Sequence, residues 1–432
     1  MTALGWAPKI PDHWEVVPLT YVAKMGTGHT PDRAKPEYWR DCTIPWVTTP
    51  DVTRRPDDLS PLMDTDQRIS ELGMANSAAT LHPAGTVMLS RTASVGYSVI
   101  VGRPMATTQA FVTWTAGPRL DPRYLLLVLR AMKPEWERLA YGSTHLTIYM
   151  PDLESLRIPL PPLHEQRQIS DLVAGESSAL DVIQTATSRQ LELLRERFLE
   201  SLRVATTLGW DSELVATGIP WMPTVGSRSK LYKIGRVFRT GSGTTPRSTD
   251  PEYFDGEISW INTADLRDGV VSSPVRKVSR AAIRDYPSLR VYPPGALIVA
   301  MYGATVGRVG MNSLPAAVNQ ACCVLSEHGE LSVEYAFYWF IAHRSRIVSL
   351  ASGGGQPNIS QDLVRSLRIS APDSRRAQRE VTEYCAGLAD AFEGQVCQLT
   401  KRLDLLRERR QALISSAVTG QVDFSNVDGV LK

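Results

Sequence analysis

A seven-residue segment occurs twice in this chain. Leu191-Glu192-Leu193-Leu194-Arg195-Glu196-Arg197 returns as Leu403-Asp404-Leu405-Leu406-Arg407-Glu408-Arg409. Each copy lies near the end of a long helical pattern, and each pattern follows a proline step and a glutamine-arginine pair: Pro161, Gln166 and Arg167, then Pro372, Gln378 and Arg379. A repeat so placed in 432 residues implies two half-chains, each closed by a long helix. The length alone already argues for more than one core.

The rest of the chain agrees. Gly26-Thr27-Gly28-His29-Thr30-Pro31 answers to Gly241-Ser242-Gly243-Thr244-Thr245-Pro246, and Ile44-Pro45-Trp46-Val47 to Ile258-Ser259-Trp260-Ile261. Gly and Pro at such spacings punctuate turns. The β-branched and aromatic runs predict strands, with the two tryptophans in the core. Val16 to Val22 predicts a strand, Pro122 to Leu139 and Val333 to Ser349 predict helices, and residues from about 206 to 229 predict a linker. From Pro162 and from Asp373, apolar residues recur three or four apart for more than 40 residues without an internal proline, up to Gly209 and Gly420. That narrow stripe predicts two helices of about 60 Å paired as a coiled coil, most simply antiparallel. The expected fold class is therefore α+β, with an internal pseudo-twofold repeat.

Composition sets limits. Net charge is +2, so no global basic field advertises nucleic acid, although local patches carry such binding. Five cysteines without a C-x-x-C pair predict small buried residues rather than a disulfide framework. The first residues lack a basic segment followed by an apolar run, and no stretch approaches 18 apolar residues, so a soluble, cytoplasmic protein is expected.

Catalytic motifs are missing. No lysine follows an acid by two positions, and there is no Walker sequence, H-E-x-x-H, G-x-S-x-G or Asn/Asp-Pro-Pro-aromatic segment. Histidines stand singly, without metal-ligand spacing. The chain is expected to have no catalytic residues, no metal and no cofactor of its own.

The laps agree in framework and differ in polar loops, as two readers of two ligands would. The candidate DNA-binding residues are Thr48, Thr49, Arg54, Arg91, Thr92, Ser143, His145 and Tyr149 in the first lap. In the second they are Asn262, Thr263, Arg267, Tyr302, Gln356 and Asn358. Arg, Gln and Asn make bidentate contacts to guanine and adenine edges.

Pro161-Pro162-Leu163-His164-Glu165-Gln166-Arg167-Gln168-Ile169, leading into the repeated heptapeptide, resembles the central region of type I restriction–modification specificity subunits. Leu413-Ile414-Ser415-Ser416-Ala417-Val418-Thr419-Gly420-Gln421-Val422-Asp423 resembles their C-terminal end. The resemblance implies two target recognition domains at 1–160 and 211–371, the latter with the linker, and helical spacer regions at 161–210 and 372–432. It implies a non-catalytic subunit that reads a split site in double-stranded DNA, one half-site per domain. The helices would dock two adenine-N6 methyltransferase subunits, which would hold S-adenosylmethionine, and translocase/nuclease subunits could join them. Glu165, Gln166, Arg167, Gln378 and Arg379 are the implied docking residues. The second copy departs from the first, with Ala377 where the first has Glu165, so Asp373 or Ser374 would have to cap that helix. Two other readings stand beside this one: a scaffold for two protein partners that binds no DNA, and a self-contained nuclease or methyltransferase, which the missing motifs disfavour.

Overall fold

The computed structural model describes residues 4–142, 146–209, 211, 213–351 and 357–422. The chain forms two compact units, one from Met1–Thr187 with Lys401–Lys432, the other from Ser188–Thr400.

In the first unit, Ala23–Thr27, Phe111–Ala116, Val87–Ser90 and Ser98–Ile100 form a four-stranded antiparallel sheet in that order. Ile44–Val47 lies between Arg68–Ile69, antiparallel, and Ala106–Thr107, parallel. Glu15–Pro18 pairs with Arg157–Leu160. The second unit repeats this plan. Phe238–Gly241, Cys322–Glu327, Leu297–Ala300 and Val309–Asn312 form the large sheet, with Gly269–Val271 added at its edge. Ile258–Ile261 lies between Lys277–Val278 and Ala316–Val318. Ser229–Lys233 pairs with Arg368–Pro372. Trp46 and Trp260 sit on the equivalent middle strands, and both are buried.

The glycine loops also match. A Cβ at Gly28 would stand 2.0 Å from the Thr107 carbonyl oxygen, and one at Gly243 would stand 1.7 Å from that of Val318. Only glycine allows these approaches. Beside each loop a threonine hydroxyl meets a glutamine side chain, Thr30 on Gln109 and Thr245 on Gln320.

The long helices are Leu163–Arg203 and Arg375–Val418, of 41 and 44 residues. In the first unit the core takes in Ile169 and Val173 from one helix and Ile414, Ala417 and Val418 from the other, packed with Trp14, Tyr124 and Ile158. In the second unit Leu202, Val381 and Cys385 join the core around Trp339 and Ile369. Arg410 bonds Asp181 within the first unit, and Phe198 stacks on Phe392 at 4.3 Å within the second. Within each unit, later residues of the central helix meet earlier residues of the C-terminal one, which is antiparallel pairing. At the end of the C-terminal helix, Gly420 (φ +69) packs so closely that a Cβ would lie 2.3 Å from Pro11.

Several local expectations change. The stretch 122–139 is two helices, Pro122–Ala131 and Lys133–Leu139, because Pro134 starts a new helix instead of continuing the old one. Strand Glu15–Pro18 ends before Val22, giving way to a 3₁₀ turn. The stretch 206–229, read as a linker, carries a hairpin, Leu214–Ile219 with Met222–Gly226, on which Met222 and Val225 are buried. Cys322, Cys323 and Cys385 are buried, and burial pushes each thiol up to about 12, but Cys397 is exposed on its helix. No described helix is long and apolar enough to cross a membrane.

Candidate nucleic-acid interface

Each middle strand runs out into a polar turn, where the sequence placed its first candidates. In the first unit Thr48 caps the short helix Thr49–Thr53: its hydroxyl donates to Asp51 Oδ2 at 2.6 Å and its N–H donates to the same oxygen at 2.8 Å. The second unit repeats the capping box with Asn262 and Asp265. Thr48 is 7% exposed. These side chains build the turn. Thr49 and Thr263, the next residues, are half-buried in the first helical turn. Arg54 is exposed and ion-paired with Asp66.

A second cluster forms where the large sheet ends. Arg91 N–H bonds the Ala110 carbonyl at 2.8 Å, Thr92 bridges to Thr147, and the Ile148 N–H returns to the Arg91 carbonyl at 2.9 Å. The Arg91 guanidinium touches the Ile148 carbonyl through Nη1 at 3.3 Å, and its Nε has no partner among the described residues. Tyr149 and Tyr141 bring their rings to 6.0 Å, each 57% exposed. The sequence pattern did not single out Tyr141 because it stands one residue before the glycine loop. Ser143 and His145 lie outside the described residues. The structure thus gathers Arg91, Thr92, Tyr141 and Tyr149 at one edge, combining a guanidinium with exposed aromatic faces.

The second unit has the same frame with other side chains. Met301 N–H bonds the Ala321 carbonyl at 2.7 Å, Tyr302 bridges to Asn358, and the Ile359 N–H returns to the Met301 carbonyl at 2.7 Å. Met301 therefore holds the place of Arg91, Tyr302 that of Thr92 and Asn358 that of Thr147. Partial burial raises the Tyr302 phenol above its ordinary value, so it stays a neutral donor at physiological pH. Gln356 lies outside the described residues. Arg267 stands apart from this pair, exposed after the Asn262 turn on a cleft that it shares with Arg308 and the ion-paired Arg344 and Asp268.

At the start of the central helix, Glu165 accepts from Trp14 Nε1 at 2.9 Å and lies 3.2 Å from His13 Nε2. Gln166 is fully buried. It accepts from the Asp121 N–H at 2.8 Å and donates to the carbonyls of Arg119 at 2.9 Å and Pro161 at 2.8 Å. Gln378 repeats this with the Ser332 N–H and the carbonyls of Glu330 and Pro372, each at 3.0 Å. Asp121 and Ser332 are themselves the N-caps of the following helices. Both glutamines spend their amides inside the fold, where they clamp the turn ahead of the next helix. Arg167 and Arg379 remain exposed beside them. In the second copy Ser374 supplies the cap, accepting from the Ala377 N–H at 3.2 Å.

The family model for the type I restriction modification DNA specificity domain matches this chain twice, over residues 11–184 and 227–389. The chain belongs to this family. The type I restriction enzyme MjaIX specificity subunit of Methanocaldococcus jannaschii is 21% identical over 430 residues, which cover 96% of this chain and 94% of that protein. The type I restriction enzyme EcoprrI specificity subunit of Escherichia coli is 20% identical over 405 residues, 91% of either chain. A solved structure from work on complex assembly and conformational transition of the type I R-M system aligns with a TM-score of 0.69 at 15% identity. It covers 96% of this chain and 100% of its own, and shows a shared fold. The chain is thus a type I specificity subunit by family, with the specificity domain present twice.

Proposed function

We propose that this specificity subunit reads a bipartite DNA target, one half-site per unit, through the loop edges at Arg91–Thr92 with Tyr149 and at Tyr302 with Asn358. The observation that carries the reading is the doubled frame with divided chemistry: the same backbone bridges present Arg91 and Thr92 in one unit and Met301 and Tyr302 in the other. Identical frames with different side chains suit two different half-sites. Thr48, Thr49, Arg54, Asn262, Thr263 and Arg267 complete the proposed reading set.

The long helices would dock two adenine-N6 methyltransferase subunits, with Glu165, Arg167 and Arg379 near the docking faces, and translocase/nuclease subunits would join for restriction. The chain itself would do no catalysis. S-adenosylmethionine and the pocket for the flipped adenine would belong to the methyltransferase. Half-sites about one turn apart, ~34–36 Å, face one side of the duplex, and helices of this length are long enough to set such a spacing.

The test is a modified-base map of DNA from a methylation-free host expressing this chain with its methyltransferase, against the methyltransferase alone. A bipartite motif with N6-methyladenine in both halves, present only with this chain, is expected. A motif that does not depend on this chain refutes the proposal.

A further inference from the structure

The two units share a frame, so a charged surface present in one alone needs a reason. In the second unit the register of Ser229–Lys233 with Arg368–Pro372 sets Lys233 directly opposite Arg368, and both are exposed. Like charges directly opposite weaken an antiparallel pair. The chain then turns through Ile234–Val237, carrying Arg236, against the short helix Gln361–Ser366. There a Cβ on Gly235 would lie 3.3 Å from that of Arg365. Lys233, Arg236 and Arg365 line one open cleft of about 310 Å³ in which Asp362 is the single acid. No side chain among Lys233, Arg236, Arg365 and Arg368 has an ion-pair or hydrogen-bond partner among the described residues.

The first unit lacks this surface. Pro18 stands opposite Arg157 there, and Arg157 donates to the Val16 carbonyl at 2.7 Å. By the alignment that matches Gly26 with Gly241, Tyr21 holds the place of Arg236; by the one that matches Arg157 with Arg368, Glu154 holds that of Arg365. The shared fold therefore does not need cations at the places of Lys233, Arg236 and Arg365, and in the second unit Lys233 weakens the strand pair by facing Arg368. Unpaired cations kept at such a cost indicate a polyanion outside the chain. The short helix follows Asn358 and Ile359 directly, so the patch continues along the backbone from the loop edge that holds Tyr302.

We infer that Lys233, Arg236, Arg365 and Arg368 form a phosphate-binding patch that grips the backbone of duplex DNA beside the second half-site alone. This rests on the DNA-reading function proposed above and adds a one-sided anchor that carries no sequence information. Such contacts fix register and orientation while base contacts specify.

The experiment is the salt dependence of binding of the full chain to a duplex of random sequence, for the parent, R236Q/R365Q/R368Q and R236K/R365K/R368K. Each phosphate left without its cation lowers the slope of log K against log salt by about 0.9, so the glutamine variant is expected to fall short of the parent slope by about 2.7. The lysine variant keeps the parent slope, and the single Arg236→Gln change, at an exposed site, lowers it by about 0.9. Equal slopes for parent and glutamine variants, with circular dichroism unchanged, overturn the patch and leave the DNA-reading function intact. So does an unchanged slope together with failed assembly with the methyltransferase, which would assign the patch to an acidic protein surface. A parent chain that binds no duplex even at low salt overturns patch and function together.

Discussion

Gln166→Ala separates a clamp from a docking residue. The side chain is fully buried and makes three hydrogen bonds of 2.8 to 2.9 Å, accepting one and donating two. A net value near 1 kcal/mol for each bond predicts a loss of about 3 kcal/mol, more if the orphaned Asp121 N–H and the two carbonyls stay dry. Because Asp121 caps the helix Pro122–Ala131, the damage should reach that helix as well as the first turn of the central one. Hydrogen exchange followed by mass spectrometry reads this directly, with faster exchange over 119–125 and 163–170, and urea unfolding gives the free energy. Gln166→Glu keeps the acceptor, loses both donors and buries a charge, so it should be no better than alanine. Gln378→Ala should do the same to the turn at Ser332 in the second unit. If Gln166→Ala leaves exchange and stability unchanged within about 0.5 kcal/mol yet abolishes assembly with a methyltransferase, the clamp reasoning is wrong.

Arg91→Ala or Arg267→Ala should cost about 1–3 kcal/mol in DNA affinity and relax preference at one base position if the guanidinium is bidentate to guanine; a uniform loss over all sequences, by competitive binding, would make it a phosphate contact. Inserting one helical turn into both long helices should lengthen the preferred spacer in the methylation map, and an unchanged spacer counts against a ruler. Exchanging residues 11–158 for those of another specificity subunit should change one half-site only. His343 is buried between Trp221 and Trp339, with Nε2 2.8 Å from the Thr207 hydroxyl. Burial, then Arg346 and Arg203, push it down to about 3 from an ordinary 6.5. The unfolded chain therefore binds the proton more readily, so stability from this group is full above about 6.5 and is lost as pH falls toward 3. Thermal unfolding against pH should show that slope, flattened in His343→Gln.

The repeat and the helices were legible because their signals are local. Apolar residues three or four apart, and glycines where no Cβ fits, leave marks that any reader can align. The polar sites were less legible, for a physical reason. Thr48 and Asn262 have the side chains that read bases, but the same oxygens cap helices, and composition cannot tell which use a turn makes of them. Gln166 and Gln378, each next to an arginine, carry a polar side chain that suits a docking surface as well as an internal clamp; only the tertiary fold turns them inward. The hairpin at 214–226 escapes the sequence pattern because it has no counterpart among the described residues of the first lap and little apolar alternation on its outward strand. Lys233 and Arg368 lie far apart in sequence, so their apposition appears only once the register is known.

The first unit closes its core with Ile414, Ala417 and Val418, more than two hundred residues after its own sheet is complete, while the second unit is one uninterrupted stretch. On the ribosome the order of completion is therefore reversed: the later-encoded half can fold while the earlier one still lacks its floor. At about 5–20 residues per second, that wait is roughly 10–40 s. A stop codon near the end of the gene would spare the half just before it and cripple the half made first.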